Sequence, residues 1–581
     1  MLEAMGIWRV AARSPQAAAL ESREVDPLLA HLLFRRGVRS AREAVGFLRP
    51  DASAFHDPLA MKGMAEAAGI LAAAAAHGRR IVVFGDYDVD GVTAVAQLRA
   101  ALRGAGADAV AFLPHRLRDG YGLKPETVRR VLAEHRPGVI VTVDCGITAL
   151  EGVAIARDAG VEVIVTDHHL LGEALPAGAV VVNPRQPGCA YPFKELAACG
   201  IAFKLALAVA ARAGRALSAT SLLRAAALGT IADLVPLLGE NRVIAAAGLA
   251  ALAGARAPGL RALLAESGVA PDAAPDSEEV AFRIAPRLNA AGRIDTAELA
   301  LAIFEERDGE RARSIASELS RRNAERQALE RRVVAQARER VERAEGPRPA
   351  ILVEADPAWH RGVLGIAASR LAREYNRPVL LFGIDGGRAV GSGRSIPGVP
   401  LHALLTALSP FFSEFGGHDA AVGGSLPADR FDAFREAAAA HFASAVDPSA
   451  LEPVFEADAE LSLDEVDEDL ARRLAALEPH GAGNPRPVFH CPEARLEGEP
   501  IPVGENGRRG RLRRDGTPLP WICWSPSVSA AAASSPRGAA LQFRVARRRA
   551  GGVEIEILAA RPSGAAVFLP PEAPAALAAT P

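Results

Sequence analysis

Several features are scarce here, and each scarcity excludes something. Only four of the 67 cationic residues are lysine (Lys62, Lys124, Lys194, Lys204), and alanine is abundant throughout, a genome-wide style of composition that carries no functional message. The five cysteines (Cys145, Cys189, Cys199, Cys491, Cys523) are scattered with no C-x-x-C pair, which argues against a disulfide framework and a zinc ribbon and fits a reducing compartment. A formal net charge of −2 gives no overall basic signature, so any contact with nucleic acid has to come from local basic patches. No window of about 20 residues is apolar without charges or prolines, and the opening MLEAMGIWRVAARSPQ has no continuous apolar core. Neither a membrane span nor a signal peptide is expected, and the expected location is the cytoplasm. No fixed-period repeat is present.

What the chain has is length and hydrophobicity. Its 581 residues, 50% hydrophobic and 23% charged, are globular in composition and too many for one core. The first segment, 1–305, contains short β-branched runs that alternate with alanine-rich helical patterns: IVVF (81–84), AVAFLP (109–114), VIVTVD (139–144), VEVIVTD (161–167) and AVVVN (179–183). Such runs mark a parallel sheet covered on both faces, whose ligands bind beyond the carboxyl ends of the strands. Residues 306–345 are rich in helix formers with mixed charge, predicting a long, partly solvated connecting helix. A smaller α/β segment follows over 346–448, with strands near AILVEA and PVLLFGI and a helix in GVLGIAASRLAREY. Residues 449–563 hold strand-like patches (ARLEGEPIPV, LQFRVARRR, VEIEILAARP) with no strong helix after Leu477, as in a small β-barrel. The Ala/Pro-rich tail, 564–581, is expected to be disordered.

The chemistry concentrates at strand ends. FGDYDVDGVTA (84–94) sets Asp86, Asp88 and Asp90 at alternate positions directly after an apolar run. Two carboxylates about 4 Å apart repel by roughly 4 kcal/mol at an effective dielectric near 20, so the cluster asks for a divalent cation. An acidic turn that caps the following helix is the plainer use of the same residues, and alone the stretch leaves the two readings level. TVDCG adds Asp144, TDHH adds Asp167, His168 and His169, and GTIADLVP adds Asp233, which sits in a helical pattern and needs the fold to deliver it. Carboxylates with an imidazole suit Mn²⁺ or Mg²⁺. Two ions about 3.5 to 4 Å apart are the arrangement that assists phosphoryl displacement, so a metallophosphoesterase is expected. Cys145, beside Asp144, is expected to be a small buried hydrophobe rather than a nucleophile.

DYDVDG, VDCG, TDHH and Asp233 together resemble the DHH phosphoesterase superfamily. LPHRLRDGYGL (113–123), VVNPRQ, RLNAAGRI (287–294), WHRGVLGIAASRLAREYNRPVLL, GSGRSIPG and FGGHDAAVGG run in family order from about residue 80 to 425 and place the chain near its single-strand-specific 5′ to 3′ DNA exonucleases. The resemblance implies a DHH-type parallel-sheet domain, a connecting helix, a DHH-associated α/β domain and a C-terminal OB-fold barrel. It implies ligation of two ions by Asp88, Asp90, Asp144, His168 and Asp233, with Asp144 bridging; Asp86 either completes the first site or holds it from behind. His169 would contact the scissile phosphate, and Asp167 would orient an imidazole. DNA would be hydrolysed to mononucleotides by in-line displacement of the 3′ oxygen, with no side-chain nucleophile. The implied setting is repair and recombination, as a monomer, with a single-stranded-DNA-binding protein and a RecQ-type helicase as partners.

Arginine forks hold phosphates bidentately, and the candidates are Arg116, Arg293, and Arg394 with Ser392; by resemblance Arg116 or Arg293 reads the 5′ end. WHRG (His360), GSGRS and GGHDAAVG (His418) are read as glycine loops whose backbone can approach an anionic strand, although each alone is an ordinary turn. In the last segment HGAGNPRPVF (480–489), WICW (521–524) and RVARRR (544–549) offer stacking and basic groups, although core is the commoner place for tryptophans such as Trp521 and Trp524 in a small barrel. A phosphoesterase for small substrates would need no third domain. An inactive scaffold would have lost the carboxylates that are present.

Overall fold

The computed structural model describes residues 6–116, 118–270, 272–504, 507–533, 538–548 and 551–564. The tail beyond Gly564, with Leu117 of the LPHRLRDGYGL stretch and Arg549 of RVARRR, lies outside them. The chain forms two compact units, one of residues 50–329 with 479–484, the other of residues 6–49, 330–478 and 485–564. Strands are numbered along the chain, starting with β1 (Ile7–Val10) of the second unit. No single helix among the described residues is long and apolar enough to cross a membrane.

In the first unit β2 (Ile81–Phe84), β3 (Ala109–Phe112), β4 (Val139–Val143), β5 (Glu162–Thr166) and β6 (Val180–Val182) form a parallel sheet in the order β3-β2-β4-β5-β6. Every residue of β2 and β4 is buried, which is why these strands, IVVF and VIVTV, are dominated by valine and isoleucine rather than alternating apolar and polar. The order turns back at β2, which has β3 on one side and β4 on the other, and this switch point opens a crevice at the strand ends. Helix α1 (Val89–Gly104) begins there, capped by Asp88, whose carboxylate accepts from the Gly91 amide at 3.1 Å. A Cβ at Gly91 would lie 2.7 Å from the backbone of Asp86, so only glycine lets the acidic loop fold over the first turn. Helices α2 (Ala198–Arg212) and α3 (Ala219–Ala232) pack on α1, and Gly229 of α3 approaches within 2.3 Å of Thr93 by the same measure.

The unit boundary falls inside a 35-residue helix, α4 (Gly309–Arg343), close to the expected connector. Its exposed faces carry ion pairs such as Arg321–Glu318 at 2.7 Å.

In the second unit β7 (Leu352–Asp356), β8 (Val379–Asp385), β9 (Arg388–Arg394), β10 (Glu414–His418) and β11 (Ala421–Pro427) form a sheet in the order β10-β11-β9-β8-β7. Two expectations change here. GSGRS and FGGHDAAVGG are not loops: they lie on β9, β10 and β11, which pair directly, with Ser392 opposite Gly423 and Gly423 opposite Gly416. β12 (Val454–Ala457) and β13 (Ala459–Glu460) lead into a barrel of β14 (Phe489–Val503), β15 (Gly507–Arg513), β16 (Leu519–Cys523), β17 (Ala539–Arg547) and β18 (Val553–Pro562), closed by pairing of β14 with β17. This barrel does contain a helix, Pro526–Ala533, between β16 and β17.

The 1–305 boundary also changes, because residues 6–49 belong to the second unit. β1 pairs in parallel with β12, and Trp8, 1% exposed, sits with Ala540 and Ala559 of the barrel under the Arg561 guanidinium at 4.4 Å. Arg35 pairs with Asp458 at 2.9 Å and Arg473 with Asp26 at 2.7 Å. Conversely HGAGN, expected with the barrel, joins the first unit: the Leu237 amide donates to Ala482 at 2.8 Å and Arg242 to the Pro479 carbonyl at 3.2 Å. These pairings join residues hundreds of positions apart, which local periodicity does not report.

Trp8→Ala should lower the unfolding free energy of the second unit by about 3 to 5 kcal/mol, read as a lower denaturant midpoint. A change under about 1 kcal/mol would mean that the first strand is not an integral part of that unit.

Candidate metal centre

Each strand of the parallel sheet from β2 to β6, leaving aside the edge strand β3, delivers a polar group at its carboxyl end. Asp86 follows β2, Asp144 follows β4, Asp167 follows β5 and Asn183 follows β6. Asp144 leaves the strand with φ +64°, a left-handed conformation unusual for a side chain with a Cβ, and its carboxylate is buried. Asp233, the residue that needed tertiary structure to bring it in, is the C-cap of α3.

The fold brings these groups together. His168 Nε2 lies 3.4 Å from Asp144 Oδ1 and 3.6 Å from Asp233 Oδ2, and His169 Nδ1 lies 3.9 Å from Asp144 Oδ1. Three overlapping groups have donor atoms within 4.8 Å of one another: Asp144, His168 and His169; Asp90, His168 and Asp233; Asp86, Asp88 and Asp144. Asp144 is shared between the first and the last. Four buried atoms at this place, Asp86 Oδ1, Asp144 Oδ1, His168 Nε2 and Asp233 Oδ2, have no hydrogen-bond partner among the described residues. Buried polar atoms are ordinarily satisfied, so four orphans facing one another need something between them. Oxygen donors with one imidazole fit a hard or borderline divalent cation.

The electrostatics agree. Burial, then the neighbouring Asp88, pushes the Asp86 carboxyl well above the usual range, and burial followed by Asp90 does the same to Asp144 and Asp233. Asp90 is raised to about 6 by burial and by Asp88, although the Ala198 and Cys199 amides at the start of α2 each donate to it at 2.8 Å. Those two bonds anchor Asp90 at a helix N-terminus. Burial and the adjacent His169 lower His168 to about 3, so its imidazole is neutral, the form that ligates metals.

Behind the cluster Asp167 organises the DHH turn. Its carboxylate accepts from the amides of Ile147, His168 and His169 at 3.0, 2.8 and 3.1 Å and bonds His169 Nδ1 at 2.7 Å. Burial alone would raise Asp167; the His169 bond and the two imidazoles hold it lower. Two contributors escaped the reading from sequence. Tyr121 donates to the Asp144 carbonyl at 3.1 Å, and Asn289 accepts from the Val89 amide at 3.1 Å, bracing the acidic loop. Both sit in the DGYGL and RLNAAGRI stretches, as isolated polar side chains among glycines and alanines. Arg116 stacks on Tyr87 at 4.9 Å and faces the charge of Asp86; Arg293 also acts on Tyr87. Cys145 is fully buried, as expected.

His360, Ser392, Arg394 and His418 belong to the second unit. Ser392 and Arg394 alternate on one face of β9, and Arg394 lies opposite Ala421, which lies opposite His418. The Arg394 guanidinium abuts Gly365, near the start of the helix Leu364–Tyr375, and His360 caps the turn before it through the Gly362 amide. In the barrel the two tryptophans, for which stacking and core were both open, part ways: Trp521 is core at 1% exposure, whereas Trp524 is 56% exposed over Gly507.

Three family models match in order: the DHH family, N-terminal domain, over residues 80–230; the DHHA1 domain over 348–444; and the RecJ OB domain over 457–553. The single-stranded-DNA-specific exonuclease RecJ of Dickeya dadantii is 39% identical over 498 residues, spanning 82% of this chain and 85% of that protein. The chain belongs to the RecJ family. The Bacillus subtilis RecJ is 38% identical over 82% of this chain, which spans 60% of that longer protein. The crystal structure of Thermus thermophilus RecJ in complex with Mn²⁺ superposes with a TM-score of 0.80 and 32% identity, covering 98% of this chain and 80% of that one.

Without divalent cations, stability should fall as pH rises from about 4 to 6. Asp90 is raised to about 6 in the fold from an ordinary carboxylate value of 3.8, so between these the native state holds more protons and rising pH favours unfolding. Saturating Mn²⁺ should raise the thermal midpoint and flatten this slope, and Asp144→Ala should abolish the rise. Identical melting curves with Mn²⁺ and with chelator would count against a metal centre.

Proposed function

We propose that the protein is a metal-dependent exonuclease that degrades single-stranded DNA from its 5′ end to mononucleotides in DNA repair and recombination. The observation that carries this reading is the convergence of four buried, unpartnered donor atoms from Asp86, Asp144, His168 and Asp233, in a chain of the RecJ family. Asp88, Asp90, Asp144, His168 and Asp233 would hold two Mn²⁺ or Mg²⁺ ions, with Asp144 shared and Asp86 beside them. When bound, such ions neutralise the carboxylates, polarise a phosphodiester and raise the acidity of a water.

The chain's own residues supply position. Asp167, bonded to His169 Nδ1, leaves His169 Nε2 to meet a phosphate oxygen. Arg116 and Arg293, flanking Tyr87, hold the phosphates, one of them at the 5′ end. In the second unit the strip of Gly416, Gly423 and Ser392 has little side chain above it, and Arg394, His418 and His360 border it as the cradle for a strand. On the barrel the exposed Trp524 and the outward Arg509, Arg511 and Arg513 of β15 stack bases and track phosphates. The same reading makes the protein a cytoplasmic monomer, with a single-stranded-DNA-binding protein and a RecQ-type helicase supplying its substrate.

Digestion of 5′-phosphorylated strands should proceed with Mn²⁺ or Mg²⁺, stop with chelator, ignore a 3′ block and spare duplexes. Asp144→Ala should reduce the rate at least about a hundredfold, and Arg394→Ala should raise KM more than it lowers kcat. Hydrolysis that survives chelation or begins at the 3′ end would reject the reading.

A further inference from the structure

The residues next to the carboxylate cluster are apolar where solvent would favour polar ones. Among the described residues ten large apolar side chains are exposed, and three of them adjoin this one cluster. Leu170, 72% exposed, directly follows His169, and Leu234, 67% exposed, directly follows Asp233. Tyr121, 43% exposed, is tied to Asp144 through its hydroxyl and lies edge-on to His169, with ring centroids 5.7 Å apart. His168 and Asp233 are 3.6 Å apart, so the two leucines extend from neighbouring points of the same site.

Leu234 is the more telling of the two. Its φ is +63°, a left-handed conformation that glycine adopts freely and leucine does not, and the side chain buries little in return. Strain of this kind persists where surrounding structure enforces it, and it gathers at functional sites. Three side chains are too few to anchor a protein partner, whose stable interfaces need about 800 Å² on each side. They are enough to contact a nucleoside. A phosphodiester drawn into the cluster carries a deoxyribose and a base on either side, and every base has an apolar face whatever its sequence.

We propose that Leu170 and Leu234, with the Tyr121 ring, form an apolar rim that contacts the nucleosides flanking the scissile phosphate. The rim makes the site select a nucleotide chain over bare phosphates without selecting sequence. This rests on the exonuclease reading above.

The test compares two 5′-phosphorylated single strands, identical except that one begins with two abasic tetrahydrofuran residues. The wild-type protein with Mn²⁺ should digest the normal strand with kcat/KM roughly tenfold above the abasic one. In the Leu170→Ser, Leu234→Gly double variant the ratio should fall to within about twofold of one, and Leu170→Met with Leu234→Met should restore it. Thermal unfolding of each variant separates this loss from misfolding, and Leu234→Gly alone, which relieves the left-handed conformation, keeps the comparison open should the double variant fail to fold. A double or single variant that folds and keeps the wild-type ratio, or a wild-type protein indifferent to the missing bases, would overturn the rim while leaving the exonuclease reading intact. A wild-type protein that digests neither strand would overturn that reading and the rim with it.

Discussion

The constraint on which this structure turns is the burial of like charges. Four aspartates from separate elements share one small volume at the end of a parallel sheet, and both desolvation and mutual repulsion disfavour their ionised forms. A fold can keep such an arrangement only by fixing each backbone attachment firmly and by offering the carboxylates a counter-charge. The rigid part is visible: two amides at the start of α2 hold Asp90, three amides hold Asp167, and Asn289 braces the acidic loop. The counter-charge that suits the donor set is a divalent cation.

The architecture follows from that requirement. A parallel sheet buried on both faces points all its strand ends one way, so residues just past β2, β4 and β5 meet without any one loop being long. Close approach does the rest, since Gly91 admits the backbone of Asp86 and Gly229 lets α3, which carries Asp233, settle against Thr93 and Cys199. In the second unit glycine serves a different end. On β9, β10 and β11 it strips a sheet of side chains beside Arg394 and His418, producing a flat polar strip rather than a tight turn.

Much of this was legible in the chain. Short valine-rich runs ending in Asp or Asn gave the parallel sheet and its polar edge, because burial on both faces demands β-branched residues continuously and the strand end is the first place a polar group can stand. The charged stretch near residue 320 gave the long helix for the opposite reason, since mixed charge at high helix propensity leaves little else for it to be. The failures were equally physical. GSGRS and GGHDAAVGG read as loops because glycine lowers strand propensity, yet pairing with neighbours overrode it. The helix Pro526–Ala533 was too short and too alanine-rich to stand out.

The sequence by itself determined which donors exist, their chemical hardness and their place at the ends of strands, because residue identity and local periodicity are properties of neighbours along the chain. Only tertiary structure decided that Asp233 joins them from a helix end, that Asp90 is gripped by α2, that residues 6–49 complete the second unit, and that Trp521 is core while Trp524 is not. Those outcomes depend on which distant surfaces pack together, and packing is settled by the burial of whole faces rather than by any short run of residues.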